Sequence, residues 1–348
     1  MSLAATNPVL VEVRRGDEVE SFHRGALAVV NAEGEVLAAW GDVKRPVFPR
    51  SAVKMIQALP LIESGAADRF GLSDAHIALA CASHSGEPGH ERAIESWLPQ
   101  IGLTPDALAC GAHEPLDEKA ARDLAASGQE PSPLHDNCSG KHAGFLTIAR
   151  HLDVPVENYI ARMHPVQKMV TQALADMTAC NLDEAPCGID GCGIPAYALP
   201  LRAIALAMAK LVTPERLDGG RGTAATRIVA AVSAHPWHVA GTGRFDTRAM
   251  SAADGAFVVK TGAEGVHVAG IPRSGLGVAV KIDDGARRGA ELAMAAVLGL
   301  LGALNPADAQ ELERALVLSR CGQPVGIAAP SGDWLANAER QIVPLARA

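Results

Sequence analysis

The sequence predicts a mixed α and β fold (α+β), with an antiparallel sheet, flanking helices and a large helical region. Segments rich in β-branched residues occur near both ends of the 348-residue chain, as expected of strands. Helical patterns interrupted by glycine and proline occupy residues from about 72 to 240. Because both ends supply strands, we expect them to form one sheet, from which the helical middle is an excursion.

Composition places the chain among folded globular proteins and excludes several functions. Hydrophobic residues make up 48% and charged residues 20% of the sequence, unlike a disordered chain. A net charge of −8 without a basic cluster argues against a nucleic-acid-binding protein. No apolar run approaches the ~18 residues that a membrane span needs. The N-terminus lacks the pattern of a signal peptide, so we expect a cytoplasmic protein.

The N-terminal part is predicted to contribute strands and one helix. Residues 9–13, 26–30 and 36–40 are apolar, and a turn-like Asn-Ala-Glu-Gly sequence joins the last two as a hairpin. A helix is predicted to begin at Pro49, because proline suits the first turn, and to end near Gly65, with Pro60 kinking it. These strands therefore form the first part of the sheet.

The remaining elements follow the same patterns. Helices are predicted at Glu91–Leu98, Glu118–Ala126, Lys141–His151, Asn158–Ala179 (disturbed by Pro165) and Pro200–Leu211. Strands at Ala256–Lys260, Val266–Ile271 and Gly277–Ile282 are followed by a long apolar helix at Arg287–Leu304 and a strand-like segment at Pro324–Ala328. We expect residues 1–348 to form a single catalytic unit, with a sheet subregion at about 9–70 plus 240–330 and a helical subregion at about 72–240.

Ser51 and Lys54 form the most informative motif, because they lie about one turn apart on one face of the predicted helix. A serine hydroxyl is a poor nucleophile until a base takes its proton, and a lysine can be that base when burial or a cation lowers its pKa. The helix N-terminus also favours a developing oxyanion. Ser-x-x-Lys is the first motif of serine β-lactamases and penicillin-binding proteins. The alternative is a serine and a surface lysine on an ordinary amphipathic helix.

A second motif, Lys260-Thr-Gly262, ends the first of the C-terminal strands. In the β-lactamase-like arrangement such a strand lines the catalytic groove, and the element order of this chain is the one which that fold uses. The fold usually also has Ser-x-Asn or Tyr-x-Asn, which this sequence lacks; the nearest hydroxyls are those of Ser83 and Ser85. We therefore expect a serine β-lactamase-like fold, but the missing motif counts against penicillin chemistry.

Two of the seven cysteines, Cys138 and Cys192, lie in glycine-containing turns, a poor place for a thiol that only fills a core. The seven form an odd number without a Cys-x-x-Cys pair, so a disulfide framework is not expected in the cytoplasm. Two thiolates could instead hold a soft metal ion such as zinc. His142 would be the ordinary guess for a third ligand.

Six segments together resemble one family, the Rhizobium-type L-asparaginases, also called the asparaginase II or class 3 family. They are His23-Arg-Gly25, Pro49–Lys54, Cys81–Ser85, Asn137–His142, Asp190-Gly-Cys192 and Lys260-x-Gly262, within a resemblance that runs from about residue 9 to 325. The block Asn-Cys-Ser-Gly-Lys-His with Asp-Gly-Cys is its most specific part. The resemblance implies a serine β-lactamase-like fold and a homodimer.

The resemblance also implies two serine–lysine pairs, Ser51 with Lys54 and Ser83 with Lys260. In that scheme Ser51 is the nucleophile and Lys54 its base, while the second pair relays protons or stabilises the oxyanion. Arg50 is a candidate for binding the α-carboxylate of the substrate, because a guanidinium binds a carboxylate through two hydrogen bonds. A surface salt bridge is the alternative role for this arginine.

For the metal, the resemblance implies zinc close to the catalytic serines, with Cys138, Lys141 and Cys192 as ligands. Asp190 would hold a bound water, and His142 would support the site from outside the ligand set. A neutral lysine is an unusual ligand, and its pKa must be strongly depressed, which the cation itself can cause. His84 and Asp190 complete the candidate substrate contacts.

These expectations lead to one hypothesis and two rivals. The leading hypothesis is hydrolysis of L-asparagine to L-aspartate and ammonia through an acyl-enzyme, with glutamine as a poorer substrate. The first rival is a β-lactamase or penicillin-binding-like serine hydrolase, which hydrolysis of a β-lactam would support. The second is a non-catalytic metal-binding scaffold, which zinc binding without amidase turnover would support.

Overall fold

The computed structural model describes residues 6–347, which divide into two compact units. Unit 1 comprises the chain up to Ala52, Leu199–Val212 and the chain from Ala252 onwards; unit 2 comprises Val53–Ala198 and Thr213–Ser251. None of the helices in the described part of the chain is both long enough and apolar enough to cross a bilayer. The single catalytic unit expected from the sequence stays a prediction.

Strands and helices are numbered here in chain order. The strands are β1 Val9–Arg15, β2 Glu18–Asn31, β3 Val36–Trp40, β4 Pro46–Val47, β5 Cys187–Ile189, β6 Pro195–Tyr197, β7 Leu199–Pro200, β8 Val258–Thr261, β9 Val266–Ile271, β10 Leu276–Ile282, β11 Ala315–Leu318 and β12 Pro324–Pro330. The helices are α1 Lys54–Gln57, α2 Leu59–Glu63, α3 Ala66–Arg69, α4 Asp74–Ala80, α5 Pro88–Trp97, α6 Glu118–Ala126, α7 Ser139–His151, α8 Pro165–Thr178, α9 Leu201–Leu211, α10 Gly220–Ala234, α11 Pro236–Val239, α12 Phe245–Ala253, α13 Arg287–Leu300, α14 Pro306–Leu312 and α15 Gly332–Arg347.

Unit 1 is built on one antiparallel sheet with the order β11-β12-β1-β2-β10-β9-β8, to which β3 adds by pairing with β2. Strand β2 pairs with β1 through residues 18–24 and with β10 through residues 25–31, so the long strand joins the two parts of the sheet. Strands from both chain ends therefore lie in the same sheet. The predicted α+β class with an antiparallel sheet is confirmed.

Helices cover this sheet on both faces. Helix α9 packs on β10, β2 and β9 so closely that a Cβ atom on Gly277 would lie 1.9 Å from the Ala205 carbonyl oxygen. Helix α13 packs on β9 and β10, where Gly289 faces Ile282. Because Gly277 and Ile282 differ in parity along β10, the two helices lie on opposite faces. The sequence assigned α9 to the helical middle of the chain, but the buried alanine and leucine face of this helix packs on the sheet of unit 1 instead.

Unit 2 is mainly helical, with α10 packed on α2 and α4, and α4 packed on α7. The close approach of the last two depends on Gly140, where a Cβ atom would lie 2.4 Å from the Leu79 carbonyl oxygen. The helix predicted at Asn158–Ala179 begins only at Pro165, with His164 accepting a hydrogen bond from the Val166 amide as its N-cap. Proline starts this helix instead of disturbing it, because its missing N–H costs nothing in the first turn.

The helix predicted after Pro49 has the expected interruption near Pro60, but its start is not α-helical. It starts as a 3₁₀ turn at Arg50–Val53, continues as α1 and breaks at Ala58 before α2. Pro60 lies in the first turn of α2, where it cannot donate the hydrogen bond that a continuous helix needs. The patterns also missed α4, α10, β11, α14 and α15, most of them short or low in amphipathic contrast.

Candidate active site

Lys54 is the centre of a buried polar cluster in unit 2. The side chain has no exposed surface, and its Nζ atom donates to the Ser83 hydroxyl at 2.8 Å and to the Ala82 carbonyl oxygen at 2.5 Å. The same nitrogen lies 3.1 Å from Cys138 Sγ and 3.4 Å from the Asn137 carbonyl oxygen. A lysine nitrogen has fewer hydrogens than these four neighbours could accept, so the acceptors share them. One nitrogen thus contacts both a hydroxyl oxygen and a sulfur.

Ser83 reaches this cluster from a buried loop that follows α4. Its backbone N–H donates to the Val239 carbonyl oxygen at 2.9 Å, and its residue surface is 8% exposed. The loop turns at Gly86, which has a φ of 68° and no room for a side chain, since a Cβ atom would lie 2.9 Å from the His135 carbonyl oxygen. The loop conformation therefore depends on tertiary contacts.

Cys138 and Lys141 are placed by the start of α7. Cys138 precedes the helix, and its backbone N–H donates to Asp136 Oδ1 at 2.8 Å. Lys141, in the first turn, donates to Cys192 Sγ at 3.0 Å, and the Cys192 thiol donates in turn to the Cys138 sulfur. All three predicted ligands are therefore buried and close together, with Cys192 in contact with the other two.

The charges of this group follow from those contacts. The hydrogen bond from Cys192 holds the pKa of Cys138 well below its usual range, helped by the Lys141 and Lys54 charges and opposed by burial. The same hydrogen bond, together with burial, raises the pKa of the Cys192 thiol. Burial lowers the pKa of Lys141, but the charges of Cys138, Cys192 and Asp190 and the hydrogen bond to Cys192 together outweigh burial and leave that pKa raised. These shifts favour the charged forms of Cys138 and Lys141 and the neutral thiol of Cys192.

Two sulfurs and one amine nitrogen form a donor set that fits a soft divalent ion such as zinc. Among residues 6–347, no three His, Cys, Asp or Glu side chains gather as a metal site, so a site here depends on Lys141 as the third donor. Cys192 and Lys141 hold their protons firmly in the absence of metal. Metal binding would therefore release protons from both side chains.

His142, beside Lys141 on α7, is turned toward Tyr159. Its Nδ1 atom lies 2.6 Å from the Tyr159 hydroxyl, which itself accepts from the Ala109 amide at 2.9 Å. One hydrogen is shared between this hydroxyl and Nδ1. Burial holds the pKa of His142 well below its usual range, so the ring is neutral. Its contacts lie outside the three-donor group, and its role stays a prediction.

Asp190 lies at the turn that precedes Cys192. One carboxylate oxygen accepts from the Gly191 amide at 2.7 Å, and the side chain is half-buried. Its negative charge contributes to the raised pKa of Lys141, behind the charges of the two cysteines. The carboxylate is therefore near the donor group, as a residue that holds a bound water should be, and that role stays a prediction.

His84 links the Ser83 loop to the start of α7. It has no exposed surface, and burial holds its pKa well below the usual range, so the ring is neutral. Its Nε2 atom donates to Ser139 Oγ at 2.9 Å, and Nδ1 accepts from the Gly86 amide at 3.2 Å. Both ring nitrogens are engaged by protein atoms, which leaves no polar atom of His84 for the predicted substrate contact.

Ser51 and Arg50 lie in unit 1, in the 3₁₀ turn that precedes Lys54. Both are half-buried, and Arg50 has a φ of 52°, in the left-handed region that few non-glycine residues adopt. Strain of this kind is most common at functional sites. Ser51 and Lys54 are three positions apart in one helical stretch of chain, and their roles stay predictions.

Lys260 is fully buried in β8 of unit 1, where its Nζ atom donates to the Thr261 carbonyl oxygen at 2.8 Å. The strand leads to Gly262, where a Cβ atom would lie 2.5 Å from the Pro49 carbonyl oxygen. The Lys-Thr-Gly motif is therefore packed against the turn that carries Ser51, within the same unit. The pairing of Ser83 with Lys260 stays a prediction.

Sequence reasoning missed two parts of the cluster. Asp136, which orders the Cys138 amide, follows the pattern of an Asx turn and could have been found from its position two residues before the cysteine. Val239, whose carbonyl oxygen binds the Ser83 amide, could not, because a backbone atom carries no residue-specific signal. A surface pocket of about 480 Å³ elsewhere in unit 2, near Arg162 and Lys168, contains none of the predicted site residues.

Comparison with known proteins identifies the family. A model of the family described as L-asparaginase II matches residues 11–329. The comparison with curated proteins found no match. Similar solved structures include a putative beta-lactamase from Bacteroides dorei (14% identity, 92% of this chain and 93% of that chain, TM-score 0.41) and a beta-lactamase from Mycobacterium bovis (14%, 79% and 94%, 0.38). Another is unliganded simvastatin synthase from Aspergillus terreus (12%, 74% and 86%, 0.35).

Proposed function

This chain belongs to the L-asparaginase II family, and from that premise we propose that it hydrolyses L-asparagine to L-aspartate and ammonia through a serine–lysine acyl-enzyme. The observation that carries the proposal is the fully buried Lys54, whose Nζ atom lies 2.8 Å from the Ser83 hydroxyl and which follows Ser51 by three positions. The contact with Ser83 supports Lys54 as a group that exchanges protons with a hydroxyl, and the spacing of three positions in one helical stretch supports Ser51 as the serine it activates. The family match supports an asparaginase-type amidohydrolase.

In the first half-reaction, Ser51 Oγ attacks the carbon of the substrate's side-chain carboxamide. Lys54 takes the serine proton as the oxygen–carbon bond forms, and a tetrahedral oxyanion results. Collapse of this intermediate breaks the carbon–nitrogen bond, and the proton held by Lys54 goes to the departing nitrogen, which leaves as ammonia. The product of this step is an aspartyl ester of Ser51.

In the second half-reaction, water attacks the ester carbonyl, Lys54 takes a proton from it, and Ser51 regains its hydrogen as L-aspartate leaves. Ser83 is proposed to pass protons to and from Lys54, and the hydrogen bond between them supports that role. Lys260 is proposed to stabilise the oxyanion as a cation. Its full burial supports a site where charge acts strongly.

Zinc is proposed as the cofactor, held by Cys138, Lys141 and Cys192. When bound, it would supply positive charge that orients an oxygen of the substrate near the serines. The contacts of Cys192 with both other side chains support the proposal, because little rearrangement is needed to bring three donors onto one ion. Asp190 would orient a water at this site, and Arg50 would bind the α-carboxylate.

Specificity for asparagine over glutamine is proposed to be partial. The two substrates differ by one methylene group, which a binding pocket distinguishes by only about 10–200-fold. We also propose a cytoplasmic homodimer. A light-scattering mass of one chain in solution would overturn the dimer.

The first experiment measures ammonia release from L-asparagine by wild-type protein and Ser51→Ala, each with added zinc and with a chelator. We expect Ser51→Ala to lower kcat by about three to six powers of ten, as in other nucleophile–base units. Chelation should raise the wild-type KM, because the ion is proposed to orient substrate. Ser64→Ala, a half-buried serine in the same helical stretch, is the matched control and should retain wild-type kcat.

Near-native turnover by Ser51→Ala would overturn the mechanism. Wild-type protein that releases no ammonia under any condition would overturn the function itself. A chromogenic β-lactam assay would then test the penicillin-binding-like alternative, although the missing Ser-x-Asn motif disfavours it.

A further inference from the structure

A segment far along the chain is packed against the loop that carries Ser83. We name this segment, Trp237–Thr242, the Trp237 clamp; both it and the loop belong to unit 2. The Ser83 amide donates to the Val239 carbonyl oxygen at 2.9 Å, and Ser85 Oγ donates to the Ala240 carbonyl oxygen at 2.8 Å. Ser83 has no helix or strand of its own, so these bonds are a main source of its position.

A carboxylate joins the clamp to the end of the same loop. Glu87 accepts from the Thr242 amide at 2.7 Å and from the Thr242 hydroxyl at 2.6 Å. The Trp237 indole N–H donates to that hydroxyl at 3.1 Å. These hydrogen bonds therefore link the indole ring to the start of α5 through the side chains of Thr242 and Glu87. Hydrogen bonds to a carboxylate are among the stronger ones.

Three aromatic rings form a stack from the clamp to the cluster. The indole of Trp237 lies 3.9 Å from the imidazole of His90 with 9° between the planes, and His90 lies 4.9 Å from His84 at 17°. His90 also donates from Nε2 to the Trp237 carbonyl oxygen at 3.0 Å. His84 is the ring that binds Ser139 at the start of α7. The stack therefore connects the indole, through His90, to the ring that contacts Ser139.

Two glycines show how tight this fit is. A Cβ atom on Gly89 would lie 2.4 Å from Cη2 of the Trp237 ring. A Cβ atom on Gly241 would lie 2.5 Å from Ser85 Oγ and 2.6 Å from the Glu87 carboxylate, and its φ of 116° is one that side chains rarely adopt. The clamp and the loop therefore pack so closely that a side chain at either glycine would push them apart.

We propose that the Trp237 clamp is the positioning device for the Ser83 hydroxyl, with the indole ring as the element that holds the loop closed. Trp237 would act through Ser83, keeping that hydroxyl 2.8 Å from Lys54. The inference deepens the proposed function and rests on it for its kinetic consequences. A displacement of about 1 Å in such a relay costs about 100-fold in rate, so a clamp of this stiffness has a measurable effect.

The kinetic test is a double-mutant cycle between Trp237→Ala and Ser83→Ala. We expect Trp237→Ala to lower kcat for L-asparagine about 10–100-fold with little change in KM. In the Ser83→Ala background the same change should alter kcat less than about threefold, because coupled residues are non-additive. Trp237→Phe, which keeps a ring on His90, should restore most of the activity. An equal loss in both backgrounds would overturn the proposal.

A second test does not depend on turnover. Hydrogen exchange of peptides covering residues 81–87 should become at least about tenfold faster in Trp237→Ala and in Gly89→Ala, with β10 peptides unchanged. Gly89→Ala keeps the indole but displaces it, so it answers the question if Trp237→Ala fails to fold. Unchanged exchange in a folded variant would overturn the clamp.

The matched control is Trp40→Phe in unit 1. Trp40 also contacts an aromatic ring, that of Trp334, and donates from its indole to Asn337 at 2.7 Å. The Trp40→Phe substitution should leave both kcat and the hydrogen exchange of residues 81–87 at wild-type values. If wild-type protein releases no ammonia from L-asparagine, the proposed function fails while the exchange experiment still decides whether the clamp holds the loop.

Discussion

The sheet of unit 1 and the loop cluster of unit 2 are both fitted together at glycines, but the glycines join different structures. In unit 1, Gly277 lets a helix lie against a strand, with only 1.9 Å between a hypothetical Cβ and the Ala205 carbonyl oxygen. In unit 2, Gly241 lets one loop lie against another, beside Ser85 and Glu87. The first contact joins a helix to a sheet, and both are stabilised by the apolar surface that they bury. The second contact joins two loops, whose polar groups do not belong to a helix or a strand.

Two buried lysines show the same difference. Lys260 lies in a strand in which every residue is buried, whereas Lys54 lies at a helix start and meets atoms from separate loops. Burying a charged group is costly unless hydrogen bonds satisfy it. The loops of unit 2 supply those acceptors, and a change there should affect chemistry more than folding. A change in the sheet should have the reverse effect.

The largest effect is expected from Lys54→Met, which keeps the length of the side chain but removes the amine. We expect kcat for L-asparagine to fall by at least about 1,000-fold, because the proposed base is lost and the Ser83 hydroxyl loses its partner. Steady-state ammonia release measures the change. Lys168→Met, at an exposed lysine of α8, is the matched control. A fall in kcat of less than tenfold would show that Lys54 is not the catalytic base.

An intermediate effect is expected from Gly277→Ala in the sheet. The added methyl meets the backbone of α9, which cannot rotate away, so we expect a loss of about 1–3 kcal/mol in the free energy of unfolding. Urea denaturation measures this loss, and the folded variant should keep the wild-type kcat. Gly220→Ala, at a helix position with open space around it, should stay within about 0.5 kcal/mol of wild type. Equal stability of the two variants would contradict the close approach of α9.

The smallest effect concerns pH and His238 of unit 2. Burial, followed by the charges of His235, His90 and His76, lowers the pKa of His238 from 6.5 to about 4. The unfolded chain therefore binds this proton first, and stability falls as the pH drops through 6.5 toward 4. His238→Gln should flatten that fall, by less than about 1 kcal/mol because the ring is half exposed to solvent.

Urea midpoints of wild type and variant between pH 7.5 and pH 4.5 measure the difference. His113→Gln, an exposed histidine of the same unit, should leave the wild-type profile unchanged. Parallel profiles for wild type and His238→Gln would show that the pKa of His238 is the same in the folded and unfolded states, which would contradict the prediction.

Local patterns in the sequence determined most of the regular elements. Strand β9 and helix α6 have the predicted bounds, because a β-branched run between glycine-containing turns and a helical periodicity both depend on neighbours within a few positions. The same reasoning expected the interruption at Pro60 but not the 3₁₀ start at Arg50–Val53, and it assigned α9 to the helical middle of the chain. Helix breaks depend on backbone bonds around Pro60, and the partner of an apolar helix face is chosen in three dimensions.

For the site, the sequence by itself determined which residue types are present and in what order, and its motifs sufficed to identify the family. Only the tertiary structure decided that the hydroxyl in contact with Lys54 is that of Ser83, that Lys141 meets Cys192, and that both nitrogens of His84 are engaged. The reason is physical. These contacts join residues tens of positions apart, or use backbone atoms such as the Val239 carbonyl oxygen, which every residue type possesses and no pattern of side chains can reveal.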